Sequence, residues 1–506
     1  MRKKRYIYGL ISSLISQFIT IISGIILPRV LIAQFGSEVY GATSSITQFL
    51  GYIVLLEGGI GGVARAALYK PLAEKNHEEL SRVVSYVRHF FQIIAYIFVG
   101  YTLVIACFYK YIARNNSFEW IFSFVLVIVI SLSSLAQYYF GIAYIVLLQA
   151  DQKGYVRDIL NAATLAVNTM IACLLASKGA NIIIVKLAWC GGHLIRIAIL
   201  NLYIKHCYRL TRVTVQKNYL PQKWDGLGQH IAYFLHSHTD VIVLTILVNL
   251  QEVSVYSIYN YIASSINTMV SIAGTNMESI FGDMLARNET NRLNDFFDMM
   301  EYIINSCIII CFSTAFSLIM PFVLLYTKGL SDADYYRPIL AGLMLFAQML
   351  YCFRQPYHQL TIAAGHFRKT KNAAFIEAAM NIFLSCLLCI YFGAEGVIIA
   401  TVLSIAYRGI YYIFYIKKNI ISRNSLKAVK RFLITIISIC INIAWFNKIL
   451  SYMGEIRNYG QWILIAGVFV LLSVISVIIG SIVFYKRELF LVKDKIIAIA
   501  FTNKSC

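Results

Sequence analysis

Nine ionisable side chains fall inside stretches otherwise apolar enough for lipid: the bases Arg65, Lys186, Arg196, Arg354 and Arg408, and the acids Glu57, Asp240, Glu278 and Glu377. A charge at mid-bilayer costs about 3 kcal/mol, so nine facing lipid would cost on the order of 27 kcal/mol. They must face one another or a hydrated cavity. Guanidinium and ammonium groups so arranged bind anions, and the planar fork of arginine matches a phosphate. A purely structural role, as interhelical pairs or as snorkelling span ends, is the competing reading for each.

The sharpest pattern is a matched pair. Arg196 lies nine residues before Lys205, and Arg408 nine before Lys417. At 1.5 Å per residue each sits about 13 Å from the end of its helix. Lys186, His193 and Arg196 fall within an arc of about 80°, a cationic stripe along one helix face. Arg354 and His358 are one turn apart with Pro356 between them, where a kink would open backbone carbonyls to a cavity. His236 and Asp240 are also one turn apart, a spacing that suits a proton carrier, a cation site or a satisfied polar contact.

A further cluster reads LLEGGIGGVAR, Leu55–Arg65. Gly58 and Gly62 make a small-xxx-small pattern that lets a neighbouring helix approach closely. Glu57, Gly61 and Arg65, spaced by four, would share one side of a continuous helix. The alternative is that the glycines unwind the helix and leave Glu57 beside freed backbone groups.

The elements that must position these residues are membrane helices. The chain is 59% hydrophobic and 13% charged over 506 residues, well below the quarter of charged residues usual in soluble domains. Apolar runs predict fourteen spans, near 7–28, 40–66, 89–109, 120–149, 158–177, 181–204, 229–249, 254–284, 297–326, 337–364, 372–392, 395–416, 430–447 and 461–485. Of the 44 Lys and Arg, 31 lie in segments on the N-terminal side of the membrane and 8 on the other. That alternation puts both termini in the cytoplasm.

Weak internal similarity, such as SEVYGATSSI near Tyr40 and VSVYSIYNYI near Tyr256, suggests parallel six-helix repeats. The expected organisation is all-α: a six-helix lobe over 1–205, a linker over 206–228, a second six-helix lobe over 229–417, and an extra helix pair with a tail over 418–506. Across a pseudo-twofold, Arg196 and Arg408 would face the same lumen.

Other classes fit poorly. The net charge of +20 is distributed as an orientation signal, so nucleic acid is not the expected partner. His236-x-His238 is not helix-face metal spacing, and Cys386-x-x-Cys389 has no second ligand pair, so neither metal nor cofactor is expected. The N-terminal apolar stretch is too long for a cleaved leader and reads as the first span. No clustered catalytic signature appears, so the chain is not expected to be an enzyme.

The stretch LPRVLIAQFGSEVYGATSSITQFLGYIVLLEGGIGGVARAALYKPLAEK resembles the first-hairpin region of bacterial polysaccharide-repeat (O-antigen or capsule) flippases, in the multidrug/oligosaccharidyl-lipid/polysaccharide exporter superfamily. The resemblance implies a V-shaped two-lobed bundle in the bacterial cytoplasmic membrane. It implies alternating access that moves an undecaprenyl-diphosphate-linked oligosaccharide from inner to outer leaflet, for capsule, O-antigen or exopolysaccharide synthesis. It implies a cationic lumen, which Arg196, Arg408, Arg354 and Lys186 suit; with Arg65 and His193 from the charge pattern, these are the expected substrate-binding residues. Coupling or structural charge falls to Glu57, His236, Asp240, Glu278, His358 and Glu377. Polysaccharide polymerase and assembly proteins, the bilayer, and a coupling proton or sodium ion are the implied partners. A multidrug or small-metabolite exporter of the same superfamily is the alternative; cationic drugs favour acidic linings, and here bases outnumber acids.

Overall fold

The computed structural model describes residues 2–57, 60–114, 117–208, 210–211, 238–274, 277–421 and 423–489, without the side chains of 2–7, 10, 62, 367 and 368. Every regular element among the described residues is helical. The helices cover all fourteen expected spans, the seventh only from His238. Among the described residues, nine segments are long and apolar enough to cross a membrane. Two of them, Ile11–Glu57 and Lys369–Asn419, run to 47 and 51 residues, enough for two passes each at about 20 residues per pass. The chain divides into two compact units, Met1–Ile258 and Tyr259–Cys506. Most of the expected 206–228 linker lies outside the described residues.

The first unit begins with α1 (Arg2–Gly51), which holds the first span and most of the second. Its helix breaks at Gly36, where φ is +83°, a left-handed conformation that a Cβ disfavours. After Gly51 the expected continuous helix over 40–66 does not form. Turn bonds from Tyr52 N to Phe49 O and Leu55 N to Tyr52 O carry the chain into α2 (Val54–Glu57), and the next described helix is α3 (Ile60–Glu74). The described break precedes Glu57, and the two residues that join Glu57 to the helix of Arg65 lie outside the described residues. The Gly58 half of the small-residue pattern lies outside the described residues.

Next come α4 (His77–Ile112), α5 (Trp120–Ala136), a π-helical turn at Gln137–Gly141, α6 (Ile142–Ala150), α7 (Gly154–Ser177) and α8 (Ile182–Cys207). Then α9 (His238–Leu247) leads into α10 (Leu250–Ile272). The N-termini of α4 and α8 are fixed by Asn76 and Asn181, whose side chains accept from Glu79 N and Ile183 N and satisfy donors the helix leaves orphaned.

Because lipid is as apolar as leucine, helices here associate by close packing and interhelical hydrogen bonds. α1 packs on α7, α7 on α8, and α5 on α4 and α8, around Phe91, Phe98, Tyr109, Val127 and Leu147. A Cβ on Gly41 would lie 1.8 Å from the carbonyl oxygen of Leu250. That contact seats the start of α10 against α1, and Ser44–Ser257 (2.7 Å) and Thr245→Ser45 (2.9 Å) extend the seam.

The second unit takes the rest of α10, then α11 (Met277–Ala286), α12 (Thr290–Tyr326), α13 (Pro338–Ala363), α14 (Phe367–Asn419), α15 (Ser425–Met453) and α16 (Tyr459–Phe484). The α14 segment is a hairpin. Gly393 adopts φ +58°, Gly396 sits against the Leu388 carbonyl, and Asn381 donates to Thr401 at 2.9 Å. These pairs run antiparallel, so residues of the outgoing arm stand opposite residues of the returning arm. On the other side, α12 packs on α15 and α16. Phe446 stacks on Phe469 at 4.0 Å, Asn442 donates to Ser313, and Trp462 Nε1 donates to Leu318 O.

Candidate functional site

In the first unit the charges meet uncharged partners. Arg196, on α8, donates from Nη1 to Asn161 Oδ1 (2.7 Å) and from Nη2 to Gln137 Oε1 (2.8 Å). Arg65, on α3, donates to Gln149 Oε1 at 2.8 Å. Glu57 faces the hydroxyl of Tyr138. Gln137, Tyr138 and Gln149 all belong to the 120–150 helix, the first two inside its π-helical turn. Such turns insert a residue and recur at functional sites. Here the turn offers an amide to one half-buried cation and a phenol to one half-buried acid. The hydrogen bonds orient both guanidiniums without cancelling their charge.

Arg196 also lines a recess with Gln137, Ile145, Arg157, Leu160, Ile197 and Leu200. Arg157 there is paired with its neighbour Asp158 at 2.6 Å. The predicted stripe on α8 is present. Lys186 and His193 are half-buried on the same helix as Arg196, and His193 sits 5.9 Å from the Trp189 ring. Among the described residues no carboxylate lies in ion-pair range of Lys186 or Arg196.

In the second unit the pattern differs. Arg354 on α13 is ion-paired with Glu377 on α14, and Arg408, on the returning arm of that hairpin, reaches the other oxygen of Glu377 at 3.9 Å. Glu377 and Arg408 stand on opposite arms of the hairpin, which brings them together. Arg408 is 3% exposed. Its Nη2 donates to Tyr412 at 2.8 Å, and its guanidinium lies 4.7 Å from that ring. Its Nε and Nη1 have no hydrogen-bond acceptor among the described residues. Arg354 lies 4.5 Å from the Tyr351 ring, and His358 packs edge-on against Tyr412 at 5.6 Å. The matched arginines thus have unlike settings, Arg196 among amides and Arg408 beside a shared carboxylate. α13 is one helix through Pro356, whose ring nitrogen has no N–H to donate to the carbonyl one turn before it.

The remaining sequence candidates separate. Asp240 is buried on α9 and accepts from Tyr256 Oη at 2.6 Å. His236 lies outside the described residues. Glu278 is not embedded in a continuous eighth span. The helix stops near Gly274, and Glu278 is exposed in the first turn of α11, where a carboxylate complements the helix dipole.

One ionic cluster escaped the sequence reading. Asp298 and Glu301, one turn apart at the start of α12, meet Arg423 and Arg431; Arg431 also pairs with Glu488, and Tyr357 donates to Glu301. Arg423 lies between α14 and α15. Desolvation works against its charge, yet Glu301 and Asp298 hold its pKa above the usual arginine value. The signal was present, since Asp298 and Glu301 fall inside the predicted 297–326 span and Arg431 inside the 430–447 span. Their partners come from helices distant in sequence, which spacing alone does not join.

No family profile matches this chain, and no curated protein sequence matches it. Solved structures do match. The lipid II flippase MurJ in an inward closed conformation aligns over 95% of this chain and 99% of its own, with TM-score 0.70 and 17% identity. The eukaryotic MATE transporter AtDTX14 aligns over 85% of this chain and 98% of its own, with TM-score 0.56 and 12% identity. An inward-facing multidrug resistance MATE family transporter of the MOP superfamily aligns over 81% and 96%, with TM-score 0.54 and 14% identity. The chain therefore has the polytopic helical fold shared by flippases and exporters of that superfamily.

Proposed function

We propose that this protein is a flippase that carries an undecaprenyl-diphosphate-linked oligosaccharide repeat unit from the inner to the outer leaflet of the bacterial cytoplasmic membrane by alternating access, feeding capsule, O-antigen or exopolysaccharide assembly. The observation that carries the reading is the setting of Arg196. A half-buried guanidinium held by the amide oxygens of Asn161 and Gln137 is oriented but not neutralised, which is what recognition of a diphosphate needs. Arg65, held by Gln149, repeats the arrangement. Lys186 and His193 extend it along α8, and Arg354 and Arg408 supply cations in the second unit. Glu57, Asp240, Glu377 and His358 are then structural or coupling charges. Likeness to a lipid flippase over nearly the whole chain supports the same reading.

The likeness to multidrug transporters supports a second reading, export of a drug or small metabolite. The guanidiniums of Arg196 and Arg65, oriented by amide oxygens rather than by carboxylates, favour an anionic cargo instead. The test is complementation of a deletion strain with the wild-type chain and with Arg196→Ala, scored as surface polysaccharide at matched expression. Restored polymer with the wild type and loss with the variant supports the flippase. A deletion that leaves polymer intact but raises drug sensitivity supports the exporter.

A further inference from the structure

Two guanidiniums in the second unit lean on one carboxylate, and the sharing is unequal. Glu377 closes a direct ion pair with Arg354 through Oε1, while its Oε2 stands 3.9 Å from Arg408 Nη1. That leaves Arg408, 3% exposed, with two nitrogens that have no hydrogen-bond acceptor among the described residues. A buried, under-satisfied guanidinium is costly. The trio also keeps a net positive charge, since one carboxylate faces two cations. Both guanidiniums are backed by aromatic faces, Tyr351 and Tyr412, which favour cations and leave the forks free to grip an anion. Tyr351 and His358 beside them are only half-buried.

We propose that Glu377 is a tethered stand-in for the cargo's phosphate: it holds Arg354 and Arg408 in the unloaded protein and is exchanged for a phosphate or diphosphate oxygen cluster when cargo binds. The inference rests on the anionic-cargo reading above and adds the exchange. A monodentate carboxylate fills one acceptor position, whereas a diphosphate offers several oxygens and reaches Arg408 Nε and Nη1 as well. The carboxylate also sets an upper bound on affinity, because each binding event must displace it. That bound favours release on the far side of the membrane. A purely structural ion pair makes no such contribution.

The experiment is calorimetric titration of the purified full-length protein in detergent with two probes, inorganic pyrophosphate and farnesyl diphosphate. Glu377→Gln removes the competing charge and keeps the side-chain shape. Relief of one like charge within about 5 Å of the ligand predicts tightening on the order of tenfold or more. Adding Arg408→Ala to that variant abolishes the gain. Equal tightening for both probes assigns the site to the diphosphate itself; tightening for farnesyl diphosphate alone assigns it to the lipid head group.

An unchanged or weaker Kd in Glu377→Gln, with wild-type binding intact, overturns the exchange and leaves the flippase reading standing on Arg196. No binding of either probe to wild type or variant overturns both. If Glu377→Gln does not fold, Glu377→Asp draws the carboxylate back by one methylene. An intermediate gain is expected there, and no gain overturns the proposal.

Discussion

Replacing Glu301 tests the ionic cluster at the start of α12. Its carboxylate is 1% exposed and accepts from Arg423, Arg431 and Tyr357. Hydrogen bonds to a charged group contribute about 1.5–3 kcal/mol each, so three sum to roughly 4.5–9 kcal/mol gross. Relief of the carboxylate's own desolvation offsets several kcal/mol. Asp298 stays beside both arginines, 3.0 Å from Arg423 and 3.4 Å from Arg431, and recovers part of the loss. The net expectation for Glu301→Ala is about 3–5 kcal/mol, and for Glu301→Gln, which keeps an acceptor for Tyr357, about 2–3 kcal/mol.

Reversible unfolding in detergent–SDS mixtures reads both values. A double-mutant cycle with Arg431→Gln should return a coupling of roughly 1–3 kcal/mol. If Glu301→Gln matches wild type within about 0.5 kcal/mol, the spread expected of ordinary surface changes, the cluster does not hold the C-terminal helix pair to α12.

Four other outcomes follow from named contacts. Gly41→Ala places a Cβ against the Leu250 carbonyl, which is backbone and cannot step aside; a loss of about 1–3 kcal/mol should appear as a lowered Tm in scanning fluorimetry. Gly393→Ala forces an L side chain into φ +58° at the α14 turn and should cost about 1–2 kcal/mol in the same measurement. Asn458→Ala removes the acceptor for Gln461 N at the start of α16 and should cost about 1 kcal/mol. Gln137→Leu leaves the Arg196 charge in place but frees one of its two anchors. Surface polysaccharide should fall while expression holds, and wild-type polymer would argue against orientation of Arg196 as the functional feature.

Much of the architecture was readable because the bilayer constrains it. Apolar run length marked the spans. The hairpin at Gly393 and the break at Gly36 fall at glycines between two expected spans. What resisted reading is what depends on partners from other helices. Arg354, Glu377 and Arg408 are each visible as lone intramembrane charges, but only the antiparallel hairpin shows that one acid serves two bases. Gln137, Gln149 and Asn161 carry no charge and so drew no notice, although they decide whether Arg196 and Arg65 are neutralised. The break of the second span at Tyr52–Ile53 lies upstream of the glycine-rich stretch and had no signal in the spacing of its charges.

The π-helical turn at Gln137–Gly141 has a bearing on how this stretch can vary. It amounts to one surplus residue in an otherwise regular rod, so the rod on one side is rotated by about 100° from where an uninterrupted helix would put it. Deleting a single residue within the turn would straighten the rod and keep its length almost unchanged. It would also swing Gln149 off the face that meets Arg65 while Trp120–Ala136 kept its place. A chain with that deletion would keep its span and its hydrophobicity and lose one anchor, a change that alignment of hydropathy profiles would miss entirely.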